Sequence, residues 1–169
     1  MNYANVRDEI ATELGTVSGM GKVFKSLRFV TDWGTFFNRF VTDFSGTKRT
    51  VVCWIGGSGP TQETGLNLVG DTDERDLIEW TDRHESYLIT LVVGFKDDDT
   101  APSEFDFMTL VDAIEAKFRF GQNLNAKCDK QYPLQRQALG LFMFADQLCH
   151  KAEWLLELRF RVENTNADA

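Results

Sequence analysis

The stretch LCHKAEWLLELRFRVE, residues 148–163, alternates apolar and polar side chains with a period of two. From residue 152 onward the even positions carry Ala, Trp, Leu, Leu, Phe and Val, and most odd positions carry charged side chains. Such alternation is typical of a β-strand with one buried face, because successive side chains point to opposite sides. The pattern therefore predicts a long strand over residues 149–163, with Trp154 and Phe160 in the core.

The first residues of this stretch are of types that build metal sites and thiol nucleophiles, namely Cys149, His150 and Glu153. In a strand, however, Cys149 and His150 point to opposite faces, so one metal ion or one nucleophile–base pair cannot use both. The other histidine, His84, is distant in the sequence, and no ligand spacing typical of zinc is present. We therefore predict structural roles for these residues.

The rest of the chain alternates between helical and strand patterns. Helices are predicted over residues 2–14, 33–44 and 103–119, the last with Ser103 as its N-cap. Further strands are predicted over residues 22–30, 50–55, 86–95 and 139–145. Both faces of the strand over residues 86–95 are apolar, which indicates a strand covered on both sides.

Residues 56–75 are rich in Gly, Thr and Asp and are predicted to form a long irregular loop. The order of elements predicts a single α+β domain over residues 1–163, with a mainly antiparallel or mixed sheet packed by helices. The last residues, 164–169, are predicted to be a flexible C-terminal tail.

The composition limits the class of protein. The 169 residues are 43% hydrophobic and 26% charged, which is ordinary for one folded domain. A net charge of -8 argues against wrapping nucleic acid, which requires a basic surface. The longest apolar runs are strand-sized and no signal peptide is visible, so no membrane segment is predicted. Three scattered cysteines, Cys53, Cys128 and Cys149, predict reduced thiols.

Motifs for catalysis or cofactor binding fail at individual positions. The stretch GGSGP, residues 56–60, has Pro60 where the nucleophile elbow of hydrolases requires glycine, and it lacks the third glycine of GxGxxG. The sequence GMGKV lacks the Ser or Thr that follows the lysine of a P-loop. The acidic run 97–99 lacks the spacing of a calcium loop, and DRHE lacks the second histidine of HExxH. We therefore predict no enzyme, no cofactor and no metal site.

Fourteen phenylalanines and four tryptophans are many for this length, and an aromatic surplus is typical of protein–protein interfaces. A short helix cannot bury all the aromatic residues of the segment 33–44 on one side. The alternative, a thick core over a two-sided sheet, stays open at this point. The residues proposed for contact with a partner are Trp33, Phe36, Phe37, Phe40, Pro60, Thr61 and Leu66.

Seven segments taken together suggest a family. They are NVRDEIATEL, GMGKVFKSLRFV, DWGTFFNRF, TVVCWI, HESYLITLVVGF, FMTLVDAIEAKFR and LCHKAEWLLELRF. In this order they resemble the tail terminator, or tail completion, proteins of long-tailed bacteriophages. The likeness covers most of residues 1–163, and the stretch 56–75 departs from the shorter connections expected in that family.

The resemblance implies a small α+β subunit that closes into a ring, usually a hexamer, on the end of a finished tail tube. Such a ring stops tube polymerisation and joins the tail to the head at the tail–neck junction of the virion, after assembly in the host bacterial cytoplasm. The expected partners are further copies of the chain, the tail tube protein and the head–tail connector or neck proteins. The alternatives are another neck adaptor or an unrelated homo-oligomeric scaffold.

The resemblance also implies a role for the excess of acidic over basic residues. DNA is expected to pass through the lumen of the ring without specific binding. A lumen lined by carboxylates repels DNA phosphates, and the candidates for that lining are Asp97, Asp98 and Asp99.

Overall fold

The long strand predicted near the C-terminus lies in the middle of a mixed sheet. The computed structural model describes residues 3–27, 33–57, 61–69, 76–97, 100, 102–119, 124–144 and 146–164. Within these residues three helices and eight strands form one α+β domain. The helices are α1 (Tyr3–Gly15), α2 (Trp33–Phe40) and α3 (Ser103–Lys117). The strands are β1 (Lys22–Phe24), β2 (Val41–Phe44), β3 (Thr47–Gly57), β4 (Thr61–Val69), β5 (Asp76–Gly94), β6 (Lys130–Gln131), β7 (Gln135–Phe144) and β8 (Gln147–Asn164).

Strands β5 and β8 form the antiparallel centre of the sheet, from Glu79 opposite Asn164 to Gly94 opposite Cys149. Strands β3 and β4 follow one another along the outer side of β5. Strands β7 and β6 do the same along the outer side of β8. Strand β1 pairs with β3 in parallel, and β2 forms an antiparallel hairpin with β3. The α+β class and the mixed sheet are therefore confirmed.

Each side of the sheet carries its own core. We call the side to which Tyr87, Ile89 and Trp154 point the α3 face, since α1 and α3 cover it. The opposite side, where Val92 and Cys149 pack beneath α2, is the α2 face. The side chains of Ile89 and Val92 are both 0% exposed, which confirms that the central strand is covered on both sides.

The long strand behaves as its alternation predicts. On the α3 face Trp154 is 0% exposed and Phe160 is 3% exposed. The prediction that both lie in the core is confirmed. The strand extends over Gln147–Asn164, slightly beyond the predicted bounds, because β7 pairs with Gln147 and Leu148 and β5 pairs with Asn164.

The predicted aromatic helix over residues 33–44 is too long. Helix α2 ends at Phe40, and the chain continues as strand β2. Ser45 and Gly46 both have positive φ, at 53° and 90°, as in the tight two-residue turns that join antiparallel strands. The backbone N–H of Gly46 donates to Asp43 Oδ1 at 2.6 Å and closes that turn. The hairpin with β3 therefore overrides the helical pattern.

The predicted loop over residues 56–75 is wrong in its middle. Strand β4 spans Thr61–Val69 and pairs with β5, which begins at Asp76 and not at residue 86. The long strand β8 holds the first half of β5 in extended form, and β5 in turn pairs with β4. A pairing partner thus overrides a local composition rich in turn-forming residues. Residues 58–60 and 70–75 lie outside the described part.

Two smaller boundaries also differ. Strand β1 ends at Phe24, where residues 22–30 were predicted, and Arg7 Nη1 donates to the carbonyl oxygen of Lys25 at 2.8 Å directly after it. Residues 28–30 are outside the described part. Strand β7 begins earlier than predicted, at Gln135.

Helix α3 has the predicted position but a different start. Its N-cap is Pro102, so the prediction that Ser103 caps the helix is wrong. The Ser103 hydroxyl instead accepts a hydrogen bond from the backbone N–H of Lys96 at 2.8 Å and lies 3.0 Å from His150 Nε2. It therefore fastens α3 to the end of β5 and the beginning of β8.

Candidate interaction surface

Cys149 and His150 lie on opposite faces of the sheet, as the strand geometry predicts. Cys149 is buried on the α2 face beside Val92. His150 is buried on the α3 face, where its ring stacks on Phe107 at 4.9 Å between centroids. Burial lowers the pKa of His150. The two side chains do not converge on a common site.

The cysteines are buried and unbonded. Burial raises the pKa of the Cys53 thiol to about 12 and those of Cys128 and Cys149 to about 11. All three therefore stay protonated at neutral pH, whereas the thiolate is the form that attacks electrophiles and binds metals. In the described residues, no three Cys, His, Asp or Glu side chains come together as metal ligands would.

A cavity of about 580 Å³ lies between the β2–β3 hairpin, the end of β5 and helix α3. Its lining includes apolar side chains such as Phe36 and the cations Lys48 and Lys96. Arg49 crosses the opening to Asp106, with 2.5 Å between Nη1 and Oδ2. The cavity therefore has an apolar lining and a partly neutralised basic opening. Ser103, which lies 3.0 Å from His150 Nε2, is among its lining residues.

The aromatic residues proposed for contact divide into two groups. Phe36 and Phe40 are 1% and 0% exposed and pack on the α2 face, so the prediction that they offer a contact surface is wrong. Their rings meet Phe144 at 5.6 Å and 5.3 Å, and a thick core over a two-sided sheet is the correct alternative here. The side chains of Trp33 and Phe37 lie outside the described part.

The remaining predicted residues lie at two places. Thr61 and Leu66 belong to strand β4, at the edge of the sheet, while Pro60 lies outside the described part. Asp97 is exposed just after the end of β5. Asp98 and Asp99 lie outside the described part, so the acidic run is described only at its first residue.

The most unusual surface feature is an apolar strip that the sequence pattern did not identify. It consists of Leu139, Leu141 and Met143 of β7 with Leu148 of β8, which are 44%, 55%, 61% and 38% exposed. Leu141 pairs with His150 and Met143 with Leu148, which places the strip on the α3 face, where α3 no longer covers the sheet. The sequence signal was present in ALGLFMF, which is apolar at successive positions and therefore on both faces of a strand.

The strip lies on an edge strand. Within the described residues, β7 pairs with β8 and has no strand on its other side. The stretch from residue 138 to residue 144 contains no charge and no proline, the usual protections of such an edge. Exposed apolar side chains beside unpaired backbone groups are typical of a surface that binds another polypeptide.

No protein-family model matches the chain, and no curated protein matches it by sequence. The described helices are too short or too polar to cross a membrane.

The α2 face carries a charged cluster at the far end of the central strands. Asp82 is bound by Arg161 through two hydrogen bonds of 2.7 Å, and Arg159 Nη1 lies 3.9 Å away. The hydrogen bonds from Arg161 lower the pKa of Asp82. A bidentate arginine–carboxylate pair fixes β5 against β8 in one register.

This pair predicts an acid-dependent stability. The pKa of Asp82 is lower in the folded chain than in the unfolded chain, so the ion pair contributes stability above the unfolded pKa of about 4. That contribution disappears as the pH falls through the lower, folded-state pKa. We expect Asp82→Asn to be less stable than the wild type at pH 7 and to show a weaker loss between pH 5 and pH 2.

The measurement is the free energy of unfolding in urea at a series of pH values. Asp97→Asn is the control, because Asp97 is an exposed carboxylate outside the cluster. Identical pH profiles for the wild type and Asp82→Asn would contradict the assignment.

Proposed function

We propose that this chain is the tail terminator subunit of a long-tailed bacteriophage. In this proposal six copies form a ring on the end of the tail tube, stop its polymerisation and present a surface to the head connector. The function is structural and involves no catalysis. The ring belongs to the tail–neck junction of the virion.

The observation that carries the proposal is the apolar strip on the unpaired edge of β7. The four residues of the strip are 38% to 61% exposed in a single chain, and contiguous exposed apolar residues of this kind are typical of protein–protein contact surfaces. A second polypeptide that covers the strip and pairs with the β7 edge would bury these apolar side chains and satisfy the unpaired backbone groups, and both effects favour association. Further copies of the chain are the partners that the family resemblance implies.

The proposed ring uses head-to-tail contacts. A contact between two different surfaces of the same subunit generates a closed ring when the rotation between neighbours divides a full turn. The ring then has two different faces, so one can fit the last ring of the tube while the other does not template more tube. The net charge of -8 supports passage of DNA through the lumen without adhesion.

The deciding experiment is genetic. Loss of the gene is expected to give tails of abnormal length that fail to join heads, as seen by electron microscopy of lysates. Tails of normal length that lack only heads would contradict the terminator function and favour another neck adaptor.

A biochemical prediction accompanies the genetic one. Light scattering of the purified chain is expected to show particles of six times the subunit mass, and larger particles when tail tube protein is bound. Replacing the exposed Leu141 by lysine is expected to weaken this association by at least about tenfold, because a charge must then be buried in the contact. Leu27→Lys is the control, since Leu27 is 57% exposed and lies off the strip. A stable monomer under all these conditions would contradict the proposal.

A further inference from the structure

The sheet has two long edge strands, one at each end of the strand order β4–β5–β8–β7. Strand β7 has ten residues and pairs with β8, whereas β4 has nine residues and pairs with β5. The other strands that border the described sheet, β1, β2 and β6, have two to four residues. Among the described strands, β4 and β7 are therefore similar in length and each lacks a second neighbour.

We infer that β7 of one copy pairs with β4 of the next copy, so that the ring is held by one sheet continued from subunit to subunit. This inference rests on the proposed function, because it names the contact that closes the ring. It goes beyond that function in assigning the two surfaces that meet.

The directions of the strands support this pairing. The order β4–β5–β8–β7 is antiparallel at every step, so β4 and β7 run in opposite directions. A second copy placed beside the first without being turned over therefore brings its β4 antiparallel to β7. Antiparallel pairs satisfy the backbone N–H and C=O groups of both edges.

The composition of the two strands also allows this pairing. Strand β4, with the sequence TQETGLNLV, carries a single charged residue, Glu63. The uncharged edge 138–144 has no repulsive group that opposes this approach.

The register fixes a stagger between neighbours. Strand β7 lies level with residues 88–94 of β5, whereas β4 lies level with residues 76–84. With about 3.4 Å per residue, the second copy is displaced by roughly 35 Å along the strands. The strands must then run largely around the ring and not along its axis. By contrast, β7-to-β7 pairing buries both strips at once and ends at two copies, which gives no larger ring.

A mixing experiment tests the pairing. Leu141→Lys alters the β7 surface, and Leu66→Lys alters the β4 surface. Each variant alone is expected to fail to form rings, with association weakened at least about tenfold. Mixed in equal amounts they are expected to form one-to-one dimers, because the intact β7 of one variant meets the intact β4 of the other. Sedimentation velocity distinguishes monomer, dimer and ring.

The controls keep the outcomes distinguishable. Leu27→Lys is expected to form rings like the wild type, and circular dichroism with thermal melting verifies that each variant is folded. If Leu66→Lys does not fold, Thr64→Lys replaces it two residues earlier in the same strand, at the position paired with Thr81.

Each outcome decides one question. Rings formed by the wild type and equally by the folded β4 variant would overturn the β7–β4 pairing and leave the proposed function intact. Monomers that persist in the mixture of folded variants would also overturn it. A wild type that forms no ring, even with tail tube protein present, would instead overturn the proposed function.

Discussion

The Trp154→Ala variant is expected to lose about 3 to 5 kcal/mol of unfolding free energy. Trp154 lies in the middle of β8 opposite Ile89 and is 0% exposed. Removing the indole leaves a cavity in the core of the α3 face. It also removes the hydrogen bond of 2.8 Å from Trp154 Nε1 to Glu115 Oε1, which ties α3 to the sheet.

Urea denaturation at one fixed protein concentration measures this effect, because association changes apparent stability. Leu27→Ala is the control, since a side chain that is 57% exposed is expected to change the unfolding free energy by less than about 1 kcal/mol. A loss below about 1 kcal/mol for Trp154→Ala would show that this residue does not anchor the core.

The Gly21→Ala variant is expected to lose about 3 kcal/mol, although it adds only one methyl group. A Cβ atom at Gly21 would lie 2.0 Å from the carbonyl oxygen of Val51, far closer than atoms can approach. The obstacle is the backbone of β3 and cannot rotate away, so β1 must move from its parallel partner, in which Lys22 pairs with Val52. The pairing of β1 with the sheet is therefore expected to weaken.

Gly15→Ala is the matched control for this substitution. A Cβ atom at Gly15 meets nothing within 4 Å, and the residue ends helix α1. Thermal melting is expected to show Gly15→Ala at least as stable as the wild type, since alanine favours helix. Equal melting temperatures for the two alanine variants would contradict the close approach of β1 to β3.

Patterns that depend on one element were predictable from the sequence. The alternation around Trp154 and Phe160 indicated the central strand, because a half-buried strand requires that period whatever its partners. The same strand geometry places Cys149 and His150 on opposite faces, and this alone excludes a metal site or a nucleophile–base pair built from both. The spacing of Val6, Ile10 and Leu14 likewise matches a helix with one buried side.

Features that depend on a distant partner were not predictable. The segment that contains Leu66 is rich in turn-forming residues, and it becomes a strand only because β5 lies beside it. Phe36 and Phe40 looked like a surface surplus because a helix viewed alone cannot show the second core beneath the sheet. The apolar strip was not predictable because Leu141 is apolar like a core residue. Its exposure of 55% depends on which part of the sheet the helices cover.

The central position of β8 also has a consequence for the timing of assembly. Strand β5 pairs with β8, which is synthesised about seventy residues later, and pairing between such distant segments is slow compared with local contacts. The middle of the sheet therefore cannot form until residues 147–164 have left the ribosome. Because β7 joins the sheet only by pairing with β8, the edge that we propose to bind a neighbouring copy is completed at the same late step.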